Sequence, residues 1–264
     1  MVEKDNMYPG VAVIIPAKDE ETRVASTIRA CRGIPNVDLI IVVDDGSVDD
    51  TQHVARAAGA VVVRHSVNRG KAAAMETGSK VAFMRDYPET PGRLLLFIDA
   101  DLGESAVECI PIVEAVQTGK IDCGIAVFPP QKDAGGHGIV TGFARKAIYR
   151  ATGWSPRQPL SGQRCLTKKA MQAAMPLASD WGVETGMTID LLVKGYTLQE
   201  IPCNLTHRVT KNDFSGYLHR AKQYKGVWLA VMIRRLKGVK ANYHDYIKNS
   251  RVQEFSKPYK ARES

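Results

Sequence analysis

Apolar runs alternate with amphipathic stretches along the first hundred residues. Predominantly apolar segments occupy residues 11–16, 37–43, 60–63 and 93–98. Short runs of this kind are typical of strands buried on both faces of a sheet. Helical patterns lie between them, at 20–32, 49–58 and 71–86. Strands that alternate with helices predict an α/β fold with a mainly parallel, Rossmann-like sheet and flanking helices.

The second half is more mixed. Its pattern predicts strands at 121–128 and 197–203 and helices at 142–152, 168–175, 184–194 and 217–236. The glycine-rich stretch 131–141 predicts a mobile loop, and 154–164 reads as irregular. We find no internal repeat, so we predict one domain over 1–215, with a first half at 9–101 and a second half at 102–215. Residues 216–264 would form a basic C-terminal helix and tail.

Composition fits a soluble globular protein. Of the 264 residues, 44% are apolar and 24% are charged. No apolar run is long enough to span a bilayer, and the N-terminus has no signal-peptide pattern. The five cysteines form no C-x-x-C pair, so we expect small apolar side chains in a reduced cytoplasm rather than a zinc site or disulfides.

The positive charge is concentrated at the C-terminus. Of the net +8, residues 211–264 contribute 13 Lys or Arg against 4 Asp or Glu. Such a tail could meet nucleic acid, an anionic membrane or an acidic substrate. We expect no nucleic-acid partner, and a solvated chain over the last fifteen or so residues. For the basic helix at 217–236 we favour packing on its own core or in a homodimer over peripheral membrane contact.

Polar clusters follow the first four predicted strands, at 16–21, 44–51, 68–71 and 99–101. In a parallel sheet, ligands bind beyond the carboxyl ends of the strands, so these clusters should converge. The sharpest of them is Asp99-Ala100-Asp101. Two carboxylates in this spacing can bind Mg²⁺ or Mn²⁺ together with phosphate oxygens, and the cation would stabilise a departing diphosphate.

Four motifs in order carry a resemblance. Ile15-Pro-Ala-Lys-Asp-Glu-Glu21, Val42-Val-Asp-Asp-Gly-Ser47, Asn68-Arg-Gly-Lys71 and Phe97-Ile-Asp-Ala-Asp101 resemble the family-2-like glycosyltransferases of the GT-A fold. The resemblance covers at least residues 10–210, and it implies a nucleotide-binding half at 9–101 and an acceptor half at 102–215. In the second half, Gln158-Pro-Leu-Ser-Gly-Gln163, Trp181-Gly-Val-Glu-Thr-Gly186 and Thr206-His-Arg208 are similar to the glucosyl-3-phosphoglycerate synthases. Those are retaining enzymes that use a UDP- or GDP-linked hexose and a divalent metal.

The resemblance implies a role for each matching residue. Pro16, Ala17 and Glu20 would hold the nucleoside, with Glu20 on the ribose hydroxyls. Asp45 would contact the uracil edge, and Lys71 would lie near the base and the diphosphate. Asp99, followed by Ala100, would contact ribose or metal. Asp101 would ligate the metal, with His207 as a second protein ligand. The backbone at Leu160 and Gly162 would approach the donor sugar.

Glu184, at the predicted start of a helix, has two readings. In a retaining enzyme it would bind the sugar hydroxyls, and in an inverting enzyme it could be the general base that deprotonates the acceptor. The sequence does not choose between them.

The acceptor region departs from the family pattern. Phosphoglycerate-using relatives carry Gly-Gly-Gly-Arg-Val-Thr, whereas this chain has Gly135-Gly-His-Gly-Ile-Val-Thr141. Gly136, His137 and Thr141 remain as candidate acceptor-binding residues, with Arg145 nearby. Because the forked guanidinium suits phosphate, the missing arginine puts 3-phosphoglycerate itself in doubt.

Three function classes remain to be compared. The first is hexosyl transfer, with UDP-glucose as the favoured donor, to a small phosphorylated acceptor. The second is an envelope glycosyltransferase that acts on a polyprenyl phosphate or cell-wall precursor at the membrane surface. A nucleotidyltransferase would need a Gly-rich basic loop after the first strand, which this chain lacks. It also lacks the G-x-G-x-x-G and P-loop motifs.

Overall fold

The structure is a computed structural model that describes residues 8–129, 138–206, 214–239 and 255–261. Its strands are β1 (Val11–Ala17), β2 (Val37–Asp44), β3 (Val61–Arg64), β4 (Leu94–Phe97), β5 (Cys123–Val127), β6 (Arg164–Leu166) and β7 (Leu198–Pro202). Its helices are α1 (Val24–Cys31), α2 (Thr51–Ala57), α3 (Lys71–Met84), α4 (Ile110–Gln117), α5 (Gly138–Thr152), α6 (Lys168–Ala174), α7 (Val183–Val193) and α8 (Phe214–Leu236). Two 3₁₀ helices lie at Gly103–Cys109 and Asp180–Gly182.

All seven strands join one sheet in the order β3-β2-β1-β4-β6-β5-β7. Every neighbouring pair is parallel except those that involve β6, which runs antiparallel to both β4 and β5. The predicted mainly parallel sheet is therefore confirmed. The strand β6, however, is not predicted by the sequence pattern, and the predicted set of strands is wrong at this point. Its three residues are too few to show a periodicity.

The sheet is buried on both faces because its strands are apolar at successive positions. Along β1, Ala12 and Ile14 pack into one cluster with α3, α6 and α7, while Val13 and Ile15 pack into another with α1 and α4. All four side chains are fully buried. The result is a three-layer α/β/α arrangement, whose central strands are rigidly held on both sides.

Two helical regions differ from the prediction. The helix α5 begins at Gly138, so Thr141 lies in its first turn and not in a loop. The 3₁₀ helix at Gly103–Cys109 and the following α4 are absent from the sequence analysis. In α4, Ile112, Val113 and Val116 pack against the sheet, which is the amphipathic spacing that such a helix requires.

The C-terminal helix α8 packs on the body of the protein. Val227 and Val231 are buried against α5, and the guanidinium of Arg234 forms an ion pair with Asp190 in α7. The predicted packing of this helix on its own core is confirmed. Within the described ranges, no helix has both the length and the hydropathy that crossing a bilayer requires.

The described end of the tail corrects a second expectation. Tyr259 and Leu198 exchange two backbone hydrogen bonds of 2.8 and 2.9 Å, and the Tyr259 hydroxyl donates to the carbonyl of Thr152 at 2.7 Å. Tyr259 and Ala261 are buried in the main core. Residues 255–261 are therefore part of the fold and not a solvated end.

Candidate active site

The predicted polar clusters gather at one edge of the sheet. The strands β1, β2, β3 and β4 all end there because they are parallel. The strand β6 runs the other way, so its beginning lies at the same edge as the end of β4. This topology brings residues from the first and second halves of the chain to one place.

Beyond β2, Asp45 organises the chain that leads into α3. Its carboxylate accepts the backbone N–H groups of Arg69 at 2.9 Å and Gly70 at 2.7 Å, and contacts His65 Nδ1 at 2.7 Å. Gly70 has a φ of 88°, a left-handed conformation that favours glycine, and α3 begins at the next residue. Asp45 therefore fixes where Lys71 starts its helix. A contact of Asp45 with a uracil edge stays a prediction.

At the end of β1, Pro16 is partly buried and Ala17 is buried, and Glu20, just beyond the strand, is partly buried. The Glu20 carboxylate accepts from Arg23 Nε at 2.9 Å, and its backbone N–H donates to Thr51 Oγ1 at 2.8 Å. Burial raises the pKa of Glu20, against the opposing effect of Arg23, and the negative charge of Asp101 adds to the rise.

Residues 99–101, which follow β4 and Ile98, have different environments. Ala100 is buried, and its carbonyl accepts from Thr27 Oγ1 at 2.8 Å. Asp99 accepts hydrogen bonds from Lys71 Nζ and Gln163 Nε2. Asp101 is partly buried and, among the described residues, shows no hydrogen bond or ion pair. Its carboxylate oxygens are therefore available to an incoming cation.

Lys71 lies between two carboxylates at the centre of this edge. Its Nζ is 2.8 Å from Asp99 Oδ1 and 3.1 Å from Glu184 Oε1. Burial alone would lower the pKa of Lys71, but the charges of Asp99 and Glu184 outweigh it and raise the pKa. The three side chains are 29%, 39% and 8% exposed respectively, so the cluster opens to solvent on the side of Asp99. Lys71 is held as an ammonium ion between the two carboxylates.

Glycine at position 162 leaves room for that cluster. A Cβ on Gly162 would lie 2.6 Å from Lys71 Nζ and 3.1 Å from Asp99 Oδ2. The neighbouring Leu160 is partly buried, and the Ser161 hydroxyl donates to the carbonyl of Ala126 at 2.7 Å. The segment is thus fixed against β5 with its backbone beside Lys71 and Asp99.

Gln163 is a site residue that the sequence analysis missed. Its Nε2 donates to Asp99 Oδ2 at 2.7 Å, and the side chain is buried. Together, Gln163 and Lys71 occupy both oxygens of Asp99. Gln163 and Asp99 are 64 positions apart, and the only signal in the sequence is that Gln163 directly follows Gly162 in the quoted motif.

Glu184 is buried in the first turn of α7, where a helix N-terminus stabilises negative charge. The chain enters this turn through the 3₁₀ helix that ends at Gly182. A Cβ on Gly182 would lie 2.5 Å from Ala230 Cβ and 2.7 Å from the carbonyl oxygen of Gly226. Close packing of α8 therefore sets the position of Glu184.

The predicted acceptor side is only partly described. Thr141 is partly exposed in the first turn of α5, whereas Gly136 and His137 lie outside the described residues. Arg145 donates from Nε to the carbonyl of Pro156 and from Nη2 to that of Arg157, both at 2.7 Å. The guanidinium thus holds the loop before β6, and it does not replace the arginine that the family pattern carries.

The predicted second metal ligand, His207, also lies outside the described residues. Thr206 directly precedes His207, and its carbonyl accepts a hydrogen bond of 3.0 Å from Ser105 Oγ. Ser105 lies four positions after Asp101 in the sequence. In the part of the chain that the structure describes, no three His, Cys, Asp or Glu side chains form a metal-binding group. Mg²⁺ in proteins commonly takes one or two carboxylates and completes its coordination with substrate phosphates and water.

Comparisons with known proteins identify the family of the chain. A family model described as "Glycosyl transferase family 2" matches residues 12–165. A glucosyl-3-phosphoglycerate synthase from Mycobacterium tuberculosis H37Rv is 31% identical over 198 residues, which are 68% of this chain and 60% of that protein. An undecaprenyl-phosphate 4-deoxy-4-formamido-L-arabinose transferase from Pseudomonas paraeruginosa is 28% identical over 215 residues, 78% of this chain and 60% of that protein. The chain thus spans about 60% of the length of these curated relatives.

Solved structures give the same result for the fold. The M. tuberculosis glucosyl-3-phosphoglycerate synthase in complex with Mn²⁺, UDP and glucosyl-3-phosphoglycerate matches with a TM-score of 0.69 at 24% identity. That match covers 86% of this chain and 80% of the other. The same enzyme in complex with Mg²⁺ and UDP matches with a TM-score of 0.69 at 25% identity, over 86% and 79% of the two chains.

Proposed function

The chain belongs to glycosyl transferase family 2 and has the GT-A fold, and from this premise we propose that it is a metal-dependent hexosyltransferase. The donor is a nucleotide diphosphate sugar, with UDP-glucose favoured. The acceptor is a small phosphorylated molecule, as for the glucosyl-3-phosphoglycerate synthases that this chain resembles. The structures of that relative with UDP-glucose and either phosphoglyceric acid or glycerol 3-phosphate support this choice.

The observation that carries the proposal is the position of the Lys71 ammonium, 2.8 Å from Asp99 and 3.1 Å from Glu184. The carboxylate of Asp101, which has no partner among the described residues, follows Asp99 by two positions. A diphosphate that leaves during the reaction gains negative charge, and a fixed cation in a partly buried site stabilises that charge. Because Asp99 and Glu184 hold Lys71 in place, the site is organised before the donor arrives. Such preorganisation favours the transition state over the bound substrate.

The residues at this edge fit Mg²⁺ or Mn²⁺. Both ions prefer carboxylate and phosphate oxygens, and Asp101 provides a carboxylate that no described residue occupies. We propose Asp101 as the protein ligand from this strand and His207 as the second. When bound, the ion would neutralise charge on the nucleotide diphosphate.

The remaining residues of the edge bind the donor. Pro16 and Ala17 pack beside the nucleoside, Glu20 accepts the ribose hydroxyls, and Asp45 faces the base. Glu20 can do so because its second carboxylate oxygen is free of the Nε contact that Arg23 makes with Oε2. Asp99 is proposed to contact the ribose or the metal, with Ala100 next to it in the donor site.

The donor hexose is placed beside Leu160, Gly162 and Glu184. The absence of a side chain at Gly162 lets the sugar approach the backbone, since a Cβ there would already contact Lys71. In the reaction, the bond between the anomeric carbon and the diphosphate oxygen breaks, and a bond to an acceptor oxygen forms. Gly136, His137 and Thr141 are proposed to bind the acceptor.

Glu184 is proposed to bind the hydroxyl groups of the donor hexose. Its carboxylate is buried and paired with Lys71, which suits a fixed hydrogen-bond acceptor. The alternative is a general base for the acceptor hydroxyl. The variants Glu184→Gln and Glu184→Ala separate the two, because glutamine keeps a hydrogen-bonding group but cannot accept a proton. If Glu184 were the general base, both variants would lose activity to the same extent.

The test of the proposal is acceptor-dependent release of nucleotide. The purified protein is incubated with UDP- or GDP-sugars, Mn²⁺ or Mg²⁺, and 3-phosphoglycerate, glycerol 3-phosphate or a polyprenyl phosphate. We expect UDP release from UDP-glucose that requires both the metal and a small phosphorylated acceptor. Asp101→Asn should lower kcat/KM by on the order of 10³-fold, the range for lost electrostatic stabilisation. Glu104→Gln, an exposed acid three positions away, is the matched control. No acceptor-dependent release with any pair would refute the proposal.

A second candidate function has its own support. The name of the Pseudomonas relative pairs a sugar transferase with undecaprenyl-phosphate, and that relative aligns over 78% of this chain. The missing arginine in the acceptor region and the basic α8 also fit an acceptor that is a lipid phosphate at a membrane surface. A product that partitions into butanol would support this reading, whereas a water-soluble product supports the first.

A further inference from the structure

One face of α8 is apolar and turned away from the core. Trp228, Leu229, Ile233 and Leu236 are 45%, 41%, 40% and 88% exposed, and Met232 is half-buried between them. Their spacing of i, i+1, i+4, i+5 and i+8 places all five on one side of the helix. We call this set the outer stripe. The opposite side, with Val227 and Val231, is buried against α5.

Cations border the outer stripe. Lys225, Arg235 and Lys237 are all exposed on or directly after the same helix. Residues 214–244 contain seven Lys or Arg and no Asp or Glu. An apolar stripe with tryptophan on a helix whose charged residues are all cations has the composition of a helix that lies in the headgroup region of a membrane.

We propose that the outer stripe of α8 docks on a lipid surface that contains anionic headgroups. The apolar side chains would enter the region between headgroups and acyl chains, while Lys225, Arg235 and Lys237 contact the negative charges. A second copy of the chain fits less well. Two such helices paired about a two-fold axis would bring the cations of one copy against those of the other, with no acidic residue on the helix to compensate.

The helix is fixed to the rest of the protein, so docking would position the whole site. Gly182 and Gly226 allow the backbones of α8 and the 3₁₀ helix before α7 to approach closely. Arg234 pairs with Asp190 on the other side of the contact. Glu184 lies two positions after Gly182. A protein held by α8 would thus keep the acceptor side of its candidate active site at a constant distance from the membrane surface.

The test is co-sedimentation of the full chain with vesicles, in the absence of nucleotide sugar. We expect binding to vesicles of phosphatidylcholine mixed with phosphatidylglycerol, weaker binding at higher salt, and little binding to phosphatidylcholine alone. Each cation near an anionic surface contributes about five-fold to the binding constant. The triple change Lys225→Gln, Arg235→Gln and Lys237→Gln should therefore weaken binding about 100-fold.

A matched control removes three charges from another surface. Arg56, Lys120 and Lys169 are exposed and lie on other elements, so their replacement by Gln lowers the net charge equally. The control should keep most of the binding, and Trp228→Ser with Leu236→Ser should lose it while the melting temperature is retained.

Three results would overturn the proposal: no binding to anionic vesicles, equal loss in the control, or a dimer that Trp228→Ser dissociates. Since no donor or acceptor is present, each result is independent of the proposed glycosyl transfer.

Discussion

Replacing Gly162 by alanine tests whether the position of Lys71 matters for the reaction. The new methyl group would lie 2.6 Å from Lys71 Nζ and 3.1 and 3.3 Å from the two oxygens of Asp99. Ordinary contacts of carbon are about 3.5–4.0 Å, so the ammonium must move by about 1 Å. The backbone of Gly162 is not in the left-handed region, and alanine is therefore tolerated there.

The expected effect is on catalysis and not on folding. The clashing atom is the end of a flexible side chain, so the melting temperature should change little. A displacement of about 1 Å in a catalytic group can lower the rate about 10²-fold, and we expect a fall of that order in kcat/KM. The measurement is nucleotide release under saturating acceptor. Gly142→Ala is the matched control, because a Cβ at Gly142 meets nothing within 4 Å.

A double-mutant cycle identifies the cause. In a Lys71→Ala background, the change Gly162→Ala should add little, because the displaced ammonium is already absent. Wild-type kcat/KM in Gly162→Ala would refute the proposed role of this cluster. Full additivity of the two changes would show that Gly162 acts through something other than Lys71.

Three further changes test other contacts. Gln163→Glu places a carboxylate 2.7 Å from the Asp99 oxygen, so the KM for the donor should rise most at neutral pH and recover partly as the pair takes up a proton, as a pH series of KM would show. Because burial raises the pKa of Glu20 above 4.5, its carboxylate is neutralised at a higher pH than an exposed glutamate. Donor binding should therefore weaken as the pH falls toward that raised pKa, and Glu20→Gln should remove this dependence in a titration by calorimetry. Gly182→Ala forces a methyl group to 2.7 Å from the Gly226 carbonyl, and should lower the free energy of unfolding in urea by about 1–3 kcal/mol.

The sequence predicts the nucleotide-binding half well because its strands are long, apolar and followed by distinctive polar motifs. The positions of Asp99 and Lys71 at one edge follow from the parallel order alone. Their direct contact does not, since it depends on how far α3 leans toward β4. The pairing of Lys71 with Glu184 joins positions more than a hundred residues apart and leaves no local pattern.

The second half is less predictable for identifiable reasons. Arg164 begins β6 and is fully buried, and a charged residue there argues against a buried strand. Its guanidinium is accommodated because it donates to the carbonyls of Pro159 and Ser161 and to the hydroxyl of Thr188. Only tertiary structure supplies those partners. Tyr259 is a second example. It follows a basic segment whose composition predicts a solvated chain, yet its ring is buried in the core and its backbone pairs with Leu198.

The antiparallel strand β6 has a consequence for how the chain can be divided. It lies between β4, from the first half, and β5, from the second, so no cut in the sequence separates two complete sheets. A fragment that ends after Asp101 would leave β4 as an open edge, with its hydrogen-bonding groups unsatisfied and ready to pair with other chains. The donor and acceptor halves therefore share one sheet and should fold as one cooperative unit. Nucleotide binding should not survive in an isolated N-terminal fragment.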